Sequence, residues 1–152
     1  MTTIHFTVTT PVAPERIVRA FTDFTPQRLR TFPDIDPHYY RMHAVDDTSA
    51  EVTEGSAFFG GWERAHYDWS QPGDITVTSS NAFAPGSFWR YHITAGENGG
   101  SRVDFTLHRV GKNLKGRVLA TMLRVFGRRI FRQDFEQTLG HLAEARGSAY
   151  SR

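Results

Sequence analysis

Three features of the sequence predict an α+β domain with seven antiparallel strands, two short helices after the first strand and a long C-terminal helical stretch. The chain opens on an alternation of apolar and polar residues, six β-rich runs follow between residues 39 and 111, and a helical pattern fills the remainder. Its 152 residues, 39% hydrophobic and 22% charged, suit a single domain spanning 1–152.

Ile4, Phe6 and Val8 alternate with His5, Thr7 and Thr9, the period of a half-buried strand. Pro14 suits the first position of a helix, and Ile17, Ala20, Phe21 and Phe24 recur at i, i+3, i+4 and i+7 along one face. Thr25-Pro26 can cap and open a second, shorter helix that Pro33 closes. The β-rich runs are 39–45, 51–58, 62–70, 75–83, 88–94 and 102–110. Turn signals separate them at Asp46-Asp47, Gly60-Gly61, Pro72-Gly73, Pro85-Gly86 and Asn98-Gly99-Gly100. Connections this short make neighbouring strands pair antiparallel.

The terminal stretch, from Gly111 to about Arg146, carries a phase slip. At about 100° per residue, Val118, Leu119, Met122, Leu123, Val125 and Phe126 gather on one side. Phe131, Phe135, Leu139 and Leu142 gather on nearly the opposite side, so a straight helix cannot bury both sets. Gly127 lies between them, and a kink or break is expected there.

Composition removes several classes of function. Without cysteine there is no disulfide framework, thiolate metal site or thiol nucleophile, and a reduced, cytoplasmic setting is expected. No apolar run approaches the roughly 20 residues of a membrane span, and the opening MTTIHFTVTT lacks the pattern of a signal peptide. His-Glu-x-x-His, Gly-x-Ser-x-Gly and dinucleotide fingerprints are missing, and residues 55–61 lack the lysine of a phosphate loop. The seven histidines show no ligand spacing beyond His66 and Asp68 on one strand face, so neither metal nor cofactor is expected.

Charge is unevenly distributed. Residues 105–133 hold no Asp or Glu but carry Arg109, Lys112, Lys115, Arg117, Arg124, Arg128, Arg129 and Arg132, which leaves 10 basic against 16 acidic residues elsewhere. Arg117, Arg124, Arg128 and Arg132 fall within about 80° of helix face, opposite Leu119, Met122, Leu123 and Phe126. This segment reads either as an amphipathic helix for an anionic membrane surface or acidic carrier protein, or as a solvated helix face. No recognition motif accompanies the cations, so nucleic acid is not an expected partner.

The passage from Val8 to Val18, the stretch Trp62-Glu63-Arg64-Ala65-His66-Tyr67-Asp68-Trp69, the run Pro85-Gly86-Ser87-Phe88-Trp89 and the amphipathic end helix resemble the START-like (SRPBCC) superfamily from end to end. This helix-grip superfamily includes polyketide cyclases and aromatases. The resemblance implies a curved sheet wrapped around the last helix, with a cavity for an apolar or aromatic small molecule between them. It implies no reaction, since enzymes, carriers and receptors share the fold.

In such a grip alternate residues of each strand face the cavity, and the more apolar parity points inward. That parity selects Tyr40 and Met42 on the second strand and Glu63, Ala65, Tyr67 and Trp69 on the fourth. It selects Ile75, Val77, Ser79 and Asn81 on the fifth, Trp89, Tyr91 and Ile93 on the sixth, and Val103, Phe105, Leu107 and Arg109 on the last. The ligand-binding candidates are therefore Tyr40, Met42, Tyr67, Trp69, Asn81, Trp89, Tyr91 and Phe105, with Phe131 and Phe135 from the end helix.

Three functions stay open on these residues. The first is binding of a lipid, polyketide or similar metabolite in the cavity. The second is a cyclase or aromatase, with Glu63 as general base and Tyr67, Tyr91 and Arg109 as donors to a phenolate or enolate oxygen. Against that assignment, Glu63 and Arg109 can equally form a structural ion pair, and a reversed parity would turn Arg64, His66 and Asp68 inward. The third is an interaction module working through the basic segment 109–132, in a monomer or homodimer.

Overall fold

The structure is a computed structural model that describes residues 1–56, 61–79 and 83–149, the last four by backbone alone. The alternating start forms β1 (Thr2–Thr10), followed by α1 (Pro14–Phe21) and α2 (Arg28–Thr31). Six strands come next: β2 (Arg41–Val45), β3 (Ser49–Ser56), β4 (Gly61–Asp68), β5 (Asp74–Ser79), β6 (Phe88–Ala95) and β7 (Ser101–Arg109). A helical stretch completes the chain as α3 (Leu114–Met122), one π turn (Leu123–Gly127) and α4 (Arg128–Ala149).

All seven strands pair antiparallel in one curved sheet of order β1-β7-β6-β5-β4-β3-β2. Consecutive strands are neighbours, as their short turns demand, and only β1 joins out of sequence, beside β7. The turn signals act through backbone conformation: Gly73 and Gly86 sit at φ 79° and 90°, where a side chain would be strained. At the Asp46 turn the carboxylate accepts hydrogen bonds from Thr48 N at 2.9 Å and Ser49 N at 2.8 Å.

Ile4, Phe6 and Val8 of β1 face inward with Val103, Phe105 and Leu107 of β7, and all six are buried. The same face carries Ala50 and Val52 of β3, Ala65 and Tyr67 of β4 and Ile75 and Val77 of β5. Thus the predicted parity holds on β1, β4, β5 and β7, and Arg64 and His66 point outward, where both meet Glu51. It fails on β2, an edge strand exposed along its whole length with a register shift between Met42 and Ala44.

The structure gives two expectations about the helices their detail. The second helix opens at Thr25-Pro26 as expected: Thr25 Oγ1 accepts from Gln27 N at 3.3 Å, Thr25 O accepts from Arg28 N at 2.9 Å, and α2 proper is a single turn that ends before Pro33. The irregularity expected near Gly127 takes the form of the π turn Leu123–Gly127 rather than a break in the helical stretch. The stretch stays helical through the π turn, and Leu123, Gly127, Phe135 and Leu139 are buried, with Phe131 half-buried between them. The phase slip is resolved by exposure instead: Val118, Met122, Val125 and Phe126 face solvent. Gly127 is a packing position, since a β-carbon there would fall 2.7 Å from Ile4 Cδ1.

Candidate functional site

Between the inner face of the sheet and α4 lies a cavity of about 530 Å³. Every layer of the fold contributes: Phe6 from β1, Phe21 from α1, Arg28 from α2, Glu54 from β3, and Glu63, Ala65 and Tyr67 from β4. Trp89 and Tyr91 come from β6, Phe105 and Arg109 from β7, and Phe131, Asp134, Phe135 and Thr138 from α4. Nine of the lining residues are Phe, Tyr or Trp. Their rings brace one another, with Phe135 at 5.6 Å from Tyr91 and 5.7 Å from Phe21, and Phe105 at 6.1 Å from Phe131.

Two arginine-centred clusters interrupt the aromatic wall. Arg28 is almost fully buried, with its guanidinium 4.4 Å from the Phe24 ring centre and 4.8 Å from that of Phe32. All three of its nitrogens are used: Nε donates to Glu54, Nη1 to Phe21 O at 3.0 Å and Nη2 to the Tyr67 hydroxyl at 3.0 Å. Burial works against its charge, but the Tyr67 and Glu54 oxygens more than offset this and raise its proton affinity. Burial pushes the Tyr67 phenol well above its ordinary value, with Glu54 adding to the rise.

The second cluster joins β4, β5 and β7. Arg109 donates to Ser79 Oγ at 2.9 Å and to Glu63 at 3.2 Å, and it lies over the rings of Phe83 and Trp89. Burial lowers its pKa from the ordinary value, and Glu63 offsets part of that effect.

Asp134 differs from the two arginine-bound carboxylates of the wall, Glu54 and Glu63. It stands on α4 between Phe131 and Phe135, and its carboxyl has no hydrogen bond or ion pair among the described residues. Burial raises its pKa, and Asp34, which lines the same cavity, raises it further.

Of the residues singled out from the sequence, Glu63, Arg109, Tyr67, Trp89, Tyr91, Phe105, Phe131 and Phe135 lie on the cavity wall. Tyr40 does not, because its hydroxyl donates to Phe24 O at 2.6 Å and it packs outside the lining. Met42 is on the exposed edge strand, where the sheet has passed beyond the helix that would cover it. Trp69 follows the last residue of β4, stacks on Phe24 and donates to Asp47 O at 2.9 Å, again outside the wall. Asn81 lies outside the described residues.

Arg28, Glu54 and Asp134 are wall residues that the sequence reading passed over. Glu54 carried a signal, since Ala50, Val52 and Glu54 share the inward parity of β3. Arg28 carried another: Phe24 and Phe32 sit four residues to either side of it. Among the described residues no group of His, Asp and Glu is arranged to hold a metal ion, and no helix is long and apolar enough to cross a membrane.

No family model and no curated protein matches the sequence. Solved structures do match it in shape. The chain is similar to a START superfamily protein from Mycobacterium smegmatis, with a TM-score of 0.64 and 12% identity over 99% of this chain and 100% of the other. It is similar to the Zhui aromatase/cyclase from Streptomyces sp. R1128, with a TM-score of 0.68 and 11% identity over 93% of each chain. A third likeness is to TTHA0849 from Thermus thermophilus, with a TM-score of 0.67 and 17% identity over 99% of each chain. The chain therefore has the START-like, helix-grip fold, with its cavity between the seven-stranded sheet and the C-terminal helix.

Proposed function

We propose that this protein binds an apolar or aromatic small molecule, of lipid, polyketide or similar type, in the cavity between sheet and helix. One observation carries the reading: a space of about 530 Å³ whose lining includes nine aromatic side chains and two arginines already neutralised by carboxylates. That volume is within the roughly 300–1,000 Å³ of small-molecule sites. A carboxylate or phosphate ligand would have to displace Glu54 or Glu63 from an ion pair, so the cavity favours a neutral body with few polar groups. Tyr67, Trp89, Tyr91, Phe105, Phe131 and Phe135 are the proposed contacts.

Native mass spectrometry of freshly purified protein, followed by organic extraction, tests this directly. A stoichiometric neutral molecule released by extraction is the expected result. An empty protein whose tryptophan fluorescence also shows no saturable response to neutral aromatic polyketides or sterols would overturn it.

A second reading, a cyclase or aromatase, has Asp134 in its favour as well as the likeness in fold to the Zhui aromatase/cyclase. Glu63 is already engaged by Arg109 at 3.2 Å. The Asp134 carboxyl has no hydrogen bond or ion pair among the described residues, and burial raises its proton affinity. On this reading Glu63→Gln and Asp134→Asn proteins differ in turnover of a poly-β-ketone, with Asp134→Asn the slower. No turnover by the wild type, or equal turnover by all three, removes it.

A further inference from the structure

Helix α3 and the π turn after it are apolar on two sides, of which the sheet covers only one. Gly116, Ala120 and Leu123 are buried, whereas Leu114, Val118, Met122, Val125 and Phe126 are between 55% and 76% exposed. An apolar helix face of this size is ordinarily covered, and this one is not.

The exposed residues form one ridge. Leu114, Val118, Met122 and Phe126 follow each other at intervals of four, and the next step reaches Ile130, which lines the cavity. The π turn carries the ridge on: Arg124, Val125 and Phe126 face out between buried Leu123 and Gly127.

Cations border this ridge. At about 100° per residue Lys115 and Arg117 flank the line of Leu114, Val118 and Met122 on its two sides. Arg124, Arg128 and Arg129 are exposed beside Val125 and Phe126. None of these five has a carboxylate partner among the described residues, whereas Arg132, one turn further on, is paired with Glu136 at 3.0 Å. Segment 105–133 contains no acidic residue.

We infer that this ridge docks on an anionic lipid bilayer, with Leu114, Val118, Met122, Val125 and Phe126 entering the boundary between headgroups and acyl chains and the bordering cations meeting lipid phosphates. Charge complementarity argues for this occupant over a second copy of the chain or a neutral surface. A second copy of the chain would bring five further unpaired cations against the first five, and a neutral apolar groove would leave the cations without counter-charges. The inference concerns the outer face of α3, so it stands independently of what the cavity holds.

The test is co-sedimentation with vesicles of phosphatidylcholine alone and of phosphatidylcholine with about one third phosphatidylglycerol, at low and high salt. Binding to the anionic vesicles, weakened by salt, is expected, with little binding to the neutral ones. Val125→Ser/Phe126→Ser should weaken that binding by about tenfold or more, and Arg124→Ala and Arg128→Ala by about fivefold each. All four side chains are exposed, so thermal melting should show each variant as stable as the wild type. Equal binding to both vesicle types, or none to either, overturns the inference. So does binding that survives Val125→Ser/Phe126→Ser, which reports adsorption by charge alone, or a dimer in solution that those substitutions dissociate.

Discussion

Tyr67 donates its phenolic hydrogen to Glu54 across 2.7 Å, while the other oxygen of the same carboxylate takes Nε of Arg28. One carboxylate thus ties β3 to β4 and to α2, and it neutralises the most deeply buried cation of the cavity wall. Glu54→Ala should lower the unfolding free energy by about 3–5 kcal/mol, because it strands the Arg28 charge in an aromatic cage. The double variant Arg28→Met/Glu54→Leu should recover most of that loss in urea denaturation. A double variant as unstable as the single one would mean that the cluster acts through shape and not through charge.

Asp134 gives the pH dependence of stability a defined sign. Its carboxyl is raised by burial above the ordinary value of 3.8, so above that value the folded state holds the proton more tightly than the unfolded chain. Below 3.8 both states are protonated and the group is neutral in effect. As pH rises through the folded pKa the wild type loses stability relative to Asp134→Asn. Melting temperatures of the two proteins across this window should diverge with rising pH, the Asn variant gaining. A difference that does not vary with pH contradicts the assignment.

Ala65 is 1% exposed and lines the cavity, so a larger side chain there enters the ligand space. Ala65→Leu should reduce the amount of extractable ligand by about tenfold, since a filled site must exclude its occupant. The cost in stability should stay near 1 kcal/mol, to within about a factor of two, because the added atoms meet open volume and not packed core. Native mass spectrometry and urea denaturation read the two effects separately.

Gly100 and Gly140 should respond in opposite directions to the same substitution. A β-carbon at Gly100 would collide with Thr10 O, a backbone atom of β1 that cannot turn aside, so Gly100→Ala should cost about 1–3 kcal/mol. Gly140 is exposed on α4 with open space around its would-be β-carbon, and Gly140→Ala should stabilise by up to about 1 kcal/mol through helix propensity. Denaturation midpoints of the two variants on either side of the wild type are the expected outcome.

Local periodicity carried much of the fold. Ile4, Phe6 and Val8 or Val103, Phe105 and Leu107 announce both the strand and its buried face, because side chains alternate strictly along a strand and the register cannot slip without exposing them. Where parity applied, it also found wall residues, including Glu63, Tyr67, Trp89 and Arg109. Tyr40, Met42 and Trp69 show its limit. Parity says which face a side chain takes, but not whether the sheet at that point still lies over the helix.

What the sequence by itself determined is the order of elements, the antiparallel neighbours and the aromatic character of the inner face, since each follows from residues close together along the chain. What only the tertiary structure decided is which charges meet and which apolar face goes uncovered. Arg28 finds Glu54 across 26 positions, and Arg109 finds Glu63 across 46. The apolar residues of segment 118–126 were legible as a set, yet burial of Leu123 and exposure of Met122 and Phe126 depend on how the π turn seats Gly127 against Ile4. A helix can offer more than one apolar face, and only its packing against the sheet selects the one that leaves water.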